Sequence, residues 1–170
     1  MVRVIADEED INEYIKYFMT KYPEIKAVVY VDVDDDLEKT VEDYFKNKYK
    51  GTVLFFGIYE HGFSIKNSLT YDFPHCQLTV LTRYDKLKPQ TLLAARKSTR
   101  LILTKILHSI RTDLEETRGA ADFDPNPANG YQWTFKLQND LMLPVGDIAN
   151  CGCRGWSIDF EMGFPVTEVI

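Results

Sequence analysis

The chain has 170 residues, of which 45% are hydrophobic and 27% are charged, and its formal net charge is −6. This length favours one domain with a real hydrophobic core, and the acidic balance disfavours a protein that grips nucleic acid through its phosphates. No apolar run is long enough to span a bilayer, and the N-terminal sequence lacks the apolar core of a signal peptide. We therefore expect a chain that stays in a cytoplasm, with its three cysteines reduced.

The first predicted element is a helix over residues 8–21. Its apolar residues recur at helical spacing, Asp7 precedes it as a capping residue, and Pro23 ends it. A run rich in β-branched residues over 27–33 then predicts a strand.

Four aspartates lie among residues 32–36 and allow two interpretations. The first is a divalent-cation site, but the run has no glycine turn and no distal glutamate of a calcium loop. The second, which we favour, is a helix N-terminus, where carboxylates stabilise the helix dipole. A helix over 36–48, rich in lysine at its far end and stopped by Gly51, fits the second interpretation.

The next segments predict strands. Residues 52–59 are apolar on both faces of a strand, which indicates an internal position, and 60–62 resemble a turn. Residues 63–70 are ambiguous. An extended passage over 69–83 is expected to break at Pro74, at a sheet edge or a bulge, because proline cannot donate to a strand ladder.

The clearest signal in the chain is one long amphipathic helix over 89–116. Pro89 suits its first turn and Gly119 its stop. Its predicted buried stripe consists of Leu92, Ala95, Ile102, Leu103, Ile106, Leu107, Ile110 and Leu114.

A loop over 119–130 follows the long helix, and two alternating segments over 131–138 and 155–163 predict an antiparallel strand pair. We expect the loop, the intervening stretch 140–154 and the apolar tail 164–170 to be arms that reach neighbouring molecules.

Taken together, these elements predict a single α+β domain over residues 1–170. Helices and strands do not alternate strictly, so we expect a mostly antiparallel sheet with helices packed on one face.

A search for catalytic patterns yields little. His61, His75 and His108 belong to no recognisable signature, and neither a Gly-x-Ser-x-Gly elbow nor a Gly-rich phosphate loop is present. The pair Asp159 and Glu161 shares one strand face, which suits acid–base chemistry but is also the ordinary polar face of an outer strand. We therefore predict that the chain is not an enzyme and has no catalytic residue and no cofactor.

The most suggestive ligand set combines the Cys-Gly-Cys unit with the adjacent pair His75 and Cys76. Together, Cys76, Cys151, Cys153 and His75 have the composition of a zinc site. Adjacent residues on a strand point to opposite faces, however, so we favour ordinary buried cysteines and predict no metal site.

Basic residues cover one side of the long helix. This cluster, Arg96, Lys97, Arg100 and Lys105, suits either phosphate or an acidic neighbouring subunit, and the net charge favours the second.

The second half of the chain resembles a known family in the order of its elements and in its ending. An extended strand pair over 69–83 leads into the long helix, and the aromatic-rich strand Trp156-Ser-Ile-Asp-Phe-Glu-Met-Gly-Phe-Pro closes the chain. Over residues 68–165 this is similar to the tail terminator and tail-completion proteins of long-tailed bacteriophages. The helix–strand–helix at the N-terminus is larger than that family implies.

The resemblance implies a structural virion protein without catalytic residues. Such proteins form hexameric rings at the head-proximal end of the tail and join it to the neck. We accordingly expect a subunit of a homo-oligomeric ring that contacts other tail or neck proteins and has no membrane partner. DNA is expected to pass through the lumen of the ring without specific binding. The protein is expected to reside in the virion and, during assembly, in the host cytoplasm. The alternative is a small cytoplasmic enzyme or metal- or ligand-binding domain that uses His75, Cys76, Cys151 and Cys153.

Overall fold

The computed structural model describes residues 5–32, 36–47, 51–66, 69–118 and 133–166. Within these ranges the chain forms three helices, six strands and one short 3-10 turn. The helices are α1 (Glu8–Lys21), α2 (Leu37–Asn47) and α3 (Pro89–Arg118). The strands are β1 (Ile25–Tyr30), β2 (Thr52–Lys66), β3 (Leu69–Arg83), β4 (Thr134–Leu137), β5 (Leu143–Val145) and β6 (Cys153–Pro165), and the turn is Ile148–Asn150.

All six strands belong to one sheet, whose central order is β1-β2-β3-β6. The outer edge of β6 pairs with two short strands, β5 along residues 155–157 and β4 along residues 160–163. The β1–β2 pair is parallel and every other pair is antiparallel. The predicted α+β class with a mostly antiparallel sheet is therefore confirmed.

The helices begin and end close to their predicted bounds. For α1 the agreement is exact, and the Asp7 side chain accepts a hydrogen bond from the backbone N–H of Asp10 at 2.8 Å, as a capping residue should. Helix α3 extends two residues beyond the predicted end at Glu116, and Gly119 lies outside the described residues. None of these helices has both the length and the apolar content that crossing a bilayer requires.

The β2–β3 hairpin differs from its prediction. Residues 60–62 are not a turn, because β2 continues through them to Lys66. The expected break at Pro74 occurs only in part: β3 runs through Pro74 as a central strand, but its pairing with β6 skips Phe73 and Pro74. A bulge does occur nearby, where the β2–β3 register shifts between Ile58 and Glu60.

One face of the sheet, which we call the major face, packs against α1 and α3. Leu54 and Phe56 of β2 point to this face and belong to the same apolar cluster as the buried residues of α1 and α3. The fully buried members of α1 and α3 are Ile11, Tyr14, Ile15, Phe18, Leu103, Ile106 and Ile110. This is the larger core of the described chain.

The opposite face, which we call the minor face, packs against α2. Val41 and Phe45 of α2 form a second apolar cluster with Val53 and Phe55 of β2. The expectation that all helices share one face is therefore corrected for α2. The physical reason is the sequence of β2, which is apolar on both sides and needs cover on both.

The segment 140–154, predicted as an arm, lies along its own sheet. It contains β5 and the 3-10 turn, and it ends at Cys151 and Cys153, which are buried on the minor face. At the C-terminus, residues 164 and 165 complete β6, whereas 167–170 and the loop 119–130 lie outside the described ranges.

Candidate interaction surfaces

The four residues of the suggested zinc site do not meet. Cys76 is buried in the major-face core, whereas Cys151 and Cys153 are buried in the minor-face cluster. His75 precedes Cys76 on β3 and points to the minor face, beside Glu161 of β6. Nowhere in the described ranges do three or more His, Cys, Asp or Glu side chains converge as metal ligands.

Burial also changes the acidity of two of the cysteines. It raises the pKa of the Cys153 thiol to about 12, with a smaller contribution from neighbouring Cys151 and Asp147. Burial likewise raises the pKa of Cys76 far above its usual value. Both groups are therefore protonated thiols at neutral pH, without the lowered pKa that is typical of a nucleophilic cysteine.

The carboxylates suggested for acid–base chemistry each bind a residue on β3. Asp159 accepts a hydrogen bond from Gln77 at 3.0 Å, and the Glu161 carboxylate lies 3.1 Å from Nε2 of His75. The other ring nitrogen of His75 lies 2.9 Å from the side-chain amide of Gln138. These are cross-strand pairs, and they account for both carboxylates without a substrate.

His61, predicted in a turn, lies within β2 instead. Its two ring nitrogens face two carboxylates, with Nε2 at 2.7 Å from Glu8 and Nδ1 at 2.9 Å from Asp72. The side chain thereby links the start of α1 to the β2–β3 hairpin. His108 is exposed on α3.

The described part of the aspartate run supports the helix-start interpretation. Asp36 accepts a hydrogen bond from the backbone N–H of Glu38 at 2.9 Å, directly before α2 begins. Asp34 and Asp35 lie outside the described residues.

A basic surface covers the outer side of α3 near its N-terminus. Its helical residues follow one another at intervals of three and four, so they form a second stripe that faces away from the core. With Trp156 of β6 they line an open depression of about 510 Å³. We call it the α3 basic surface, and it consists of Leu93, Arg96, Lys97, Arg100, Leu101, Thr104 and Trp156.

Trp156 organises this surface. Its indole N–H donates to the backbone carbonyl of Arg96 at 2.9 Å, and the guanidinium groups of Arg96 and Arg100 lie 5.5 and 5.9 Å from its ring. Trp156, predicted as an inward residue, is only partly buried. Beside it, Leu93 and Leu101 are 67% and 55% exposed.

The positive charge of the α3 basic surface is not neutralised within the described chain. No ion pair there joins Arg96, Lys97 or Arg100 to a carboxylate, and no acidic residue lines the depression. Lys105, the fourth member of the predicted cluster, differs because it pairs with Glu24 at 2.9 Å. Three of the four predicted cations are therefore available to an external partner.

An acidic groove lies between α1 and the β1 edge of the sheet, and the sequence did not suggest it. We call it the α1 acidic groove. It has a volume of about 400 Å³ and is lined by Glu8, Glu9, Asn12, Glu13, Lys16, Val28, Tyr30 and Phe56. Its three carboxylates outnumber its single ammonium group, and its floor is apolar and aromatic.

The tip of the β2–β3 hairpin exposes further apolar surface. Phe63 and Ile65 are 68% and 79% exposed, and Tyr59 at the bulge is also exposed. Large apolar side chains grouped in this way are typical of contact sites with other molecules.

Comparison with known proteins does not place the chain in a family. No family model matches the sequence, and no curated protein matches it significantly.

Proposed function

We propose that this chain is a ring-forming structural subunit of a long-tailed bacteriophage particle, at the tail terminator or neck position that joins tail to head. The observation that carries the proposal is the pair of charged and partly apolar surfaces, one between α1 and β1 and the other on α3 beside β6. A ring forms when one patch on each subunit binds a different patch on the next, and this chain offers two such patches of opposite sign.

The order of elements supports the same function. A long hairpin of β2 and β3 leads into α3, and β6 returns to pair with β3. The resemblance stated above, between residues 68–165 and tail terminator proteins, rests on this order. In addition, the exposed residues at the hairpin tip, Phe63 and Ile65, provide a third contact site for a tail or neck protein.

The charge of the whole chain suits a ring that encloses DNA. A net charge of −6 repels phosphate, so DNA passes through the lumen without specific binding. In this proposal the protein resides in the virion, and in the host cytoplasm while particles assemble.

The alternative is a small metal- or ligand-binding domain or enzyme. It needs His75, Cys76, Cys151 and Cys153 in one site, and the sheet separates Cys76 from the other two cysteines.

Light scattering behind a sizing column tests the proposal, with zinc content measured on the same peak over a concentration series. We expect a metal-free species that approaches the mass of a hexamer, six times 19.7 kDa or about 118 kDa, as concentration rises. A monomer that holds one tightly bound zinc ion would contradict the proposal and would favour the alternative.

A further inference from the structure

We propose that the α3 basic surface of one subunit docks into the α1 acidic groove of a second copy of this chain. These two surfaces would form the interface between subunits of the ring, so this proposal rests on the proposed function.

The chemistry of the α3 basic surface favours a protein partner with carboxylates. Arg96 and Arg100 present planar guanidinium groups that are supported by the Trp156 ring, and such groups bind carboxylates through paired hydrogen bonds. Leu93 and Leu101 flank them and gain from being covered by an apolar neighbour. An interface with a Trp and two Arg at its centre has the composition of a binding hot spot.

The α1 acidic groove offers the complementary groups. Glu9 is exposed at its rim and forms no ion pair in the described chain, and Glu13 is exposed beside it with only the neighbouring Lys16 at 2.6 Å. Val28 and Tyr30 form part of the floor. The carboxylates on the rim complement the positive charges of the basic surface, and the apolar floor complements its exposed leucine side chains.

The positions of the two surfaces favour contact between copies. The acidic groove lies at β1, which is one edge of the sheet, and Trp156 lies on β6, with β2 and β3 between them. Three spacings between neighbouring strands separate β1 from β6 by about 14 Å. Because the two surfaces consist of different residues, a contact that joins one to the other is heterologous, as a ring requires.

Nucleic acid is the competing occupant for three cations beside an indole ring. We favour a second copy because the chain itself carries a matching acidic site, while its net charge of −6 opposes binding of a polyanion.

Two single charge reversals, each with a matched control, test the interface. Arg100→Glu reverses the basic surface, and Arg111→Glu makes the same change at an exposed residue farther along α3. Glu9→Lys reverses the groove, and Glu38→Lys makes the same change in the first turn of α2, on the minor face. All four residues are exposed, so the variants should unfold at the same temperature as the wild type within a few degrees.

Sedimentation velocity over a concentration series should show that the wild type associates and that added salt weakens the association. Arg100→Glu and Glu9→Lys should each weaken it by about tenfold or more, whereas the two controls should leave it unchanged. Mixing Arg100→Glu with Glu9→Lys should restore association. The native basic surface of the second variant then meets the native groove of the first, and the reversed basic surface of the first meets the reversed groove of the second, so every contact joins opposite charges.

Three results would overturn the interface. The first is that neither reversal affects association. In that case the subunits of the proposed ring would meet through other surfaces. The second is that the wild-type chain stays monomeric at every concentration. The proposed function would then be tested separately, by the binding of the chain to phage tails. The third is a loss of DNA oligonucleotide binding in Arg100→Glu with self-association unchanged, which assigns the surface to nucleic acid.

Discussion

At Gly155 the backbone of β6 comes so close to β3 that no side chain fits. A Cβ atom there would lie 1.7 Å from the carbonyl oxygen of Val80, which is backbone and cannot move aside cheaply. We therefore expect Gly155→Ala to lower the free energy of unfolding by about 3 kcal/mol, or to prevent folding. Urea denaturation measures the change.

Gly62→Ala is the matched control, because a Cβ at Gly62, also within a strand, would meet its nearest neighbours at 3.7 Å. Its free energy of unfolding should change by less than about 1 kcal/mol. Equal losses in the two variants would show that the close contact at Gly155 is not what limits stability there.

Asp147 holds the turn that leads into β6. Burial alone would raise the pKa of its carboxyl, but hydrogen bonds from Lys86 and from the backbone N–H groups of Gly152 and Cys153 outweigh burial and lower that pKa. Gly152 adopts a left-handed backbone with φ of 67°, which glycine accommodates without strain.

A lowered folded-state pKa means that the Asp147 carboxylate stabilises the fold above its unfolded pKa of about 3.9, and that this stabilisation is lost as the pH falls through the folded value. Asp147→Asn should therefore lower the free energy of unfolding by about 1 kcal/mol near neutral pH, and the difference should shrink below about pH 4. Asp140→Asn, at an exposed carboxylate, should show neither effect. A loss at Asp147 that is constant with pH would refute the charge-based explanation.

The buried thiols provide a test of the alternative function. In the variant Cys151→Ser, the remaining thiols, Cys76 and Cys153, are at most 1% exposed and protonated. We expect Ellman's reagent to modify neither thiol in the folded variant and both after denaturation in urea. Rapid modification of the folded variant would reopen the hypothesis of a reactive cysteine.

At the scale of elements, one buried polar contact fixes α1 against α3. The hydroxyl of Tyr14 donates to the Asp113 carboxylate at 2.7 Å, and both residues are buried. Removing the hydroxyl leaves that carboxylate with one donor fewer in a poorly solvated site. Tyr14→Phe should therefore lower the free energy of unfolding by about 1–3 kcal/mol.

Tyr30→Phe is the control for this prediction, since Tyr30 is 46% exposed, and thermal melting of both variants measures the difference. If both variants melted at the wild-type temperature, the Tyr14 hydroxyl would not stabilise the contact between α1 and α3.

The sequence predicted those elements best whose periodicity is uninterrupted. The stripe of α3 repeats over eight apolar positions, and α1 has both a capping aspartate and a following proline, so their bounds agree within two residues. The β2–β3 hairpin was harder because the bulge between Ile58 and Glu60 shifts the alternation of faces by one residue. Beyond that point the expected pattern of a single strand no longer applies.

At the scale of the whole molecule, only one of the two candidate surfaces was visible in the sequence. Arg96, Lys97 and Arg100 lie within five consecutive residues of α3, so the cluster is visible in the sequence of a single helix. The α1 acidic groove combines residues of α1 with Val28 of β1 and Phe56 of β2, and it exists only once the sheet has formed. The placement of α2 on the minor face likewise depended on tertiary packing.

We propose that this chain closes the end of a phage tail as a ring. Electron microscopy of the purified chain, mixed with isolated tail tubes of the long-tailed phage that this proposal requires to encode it, is the decisive test. We expect a ring of six subunits bound at one end of each tube, with an open lumen. Tubes that remain bare at both ends, or that carry the chain along their whole length, would contradict it.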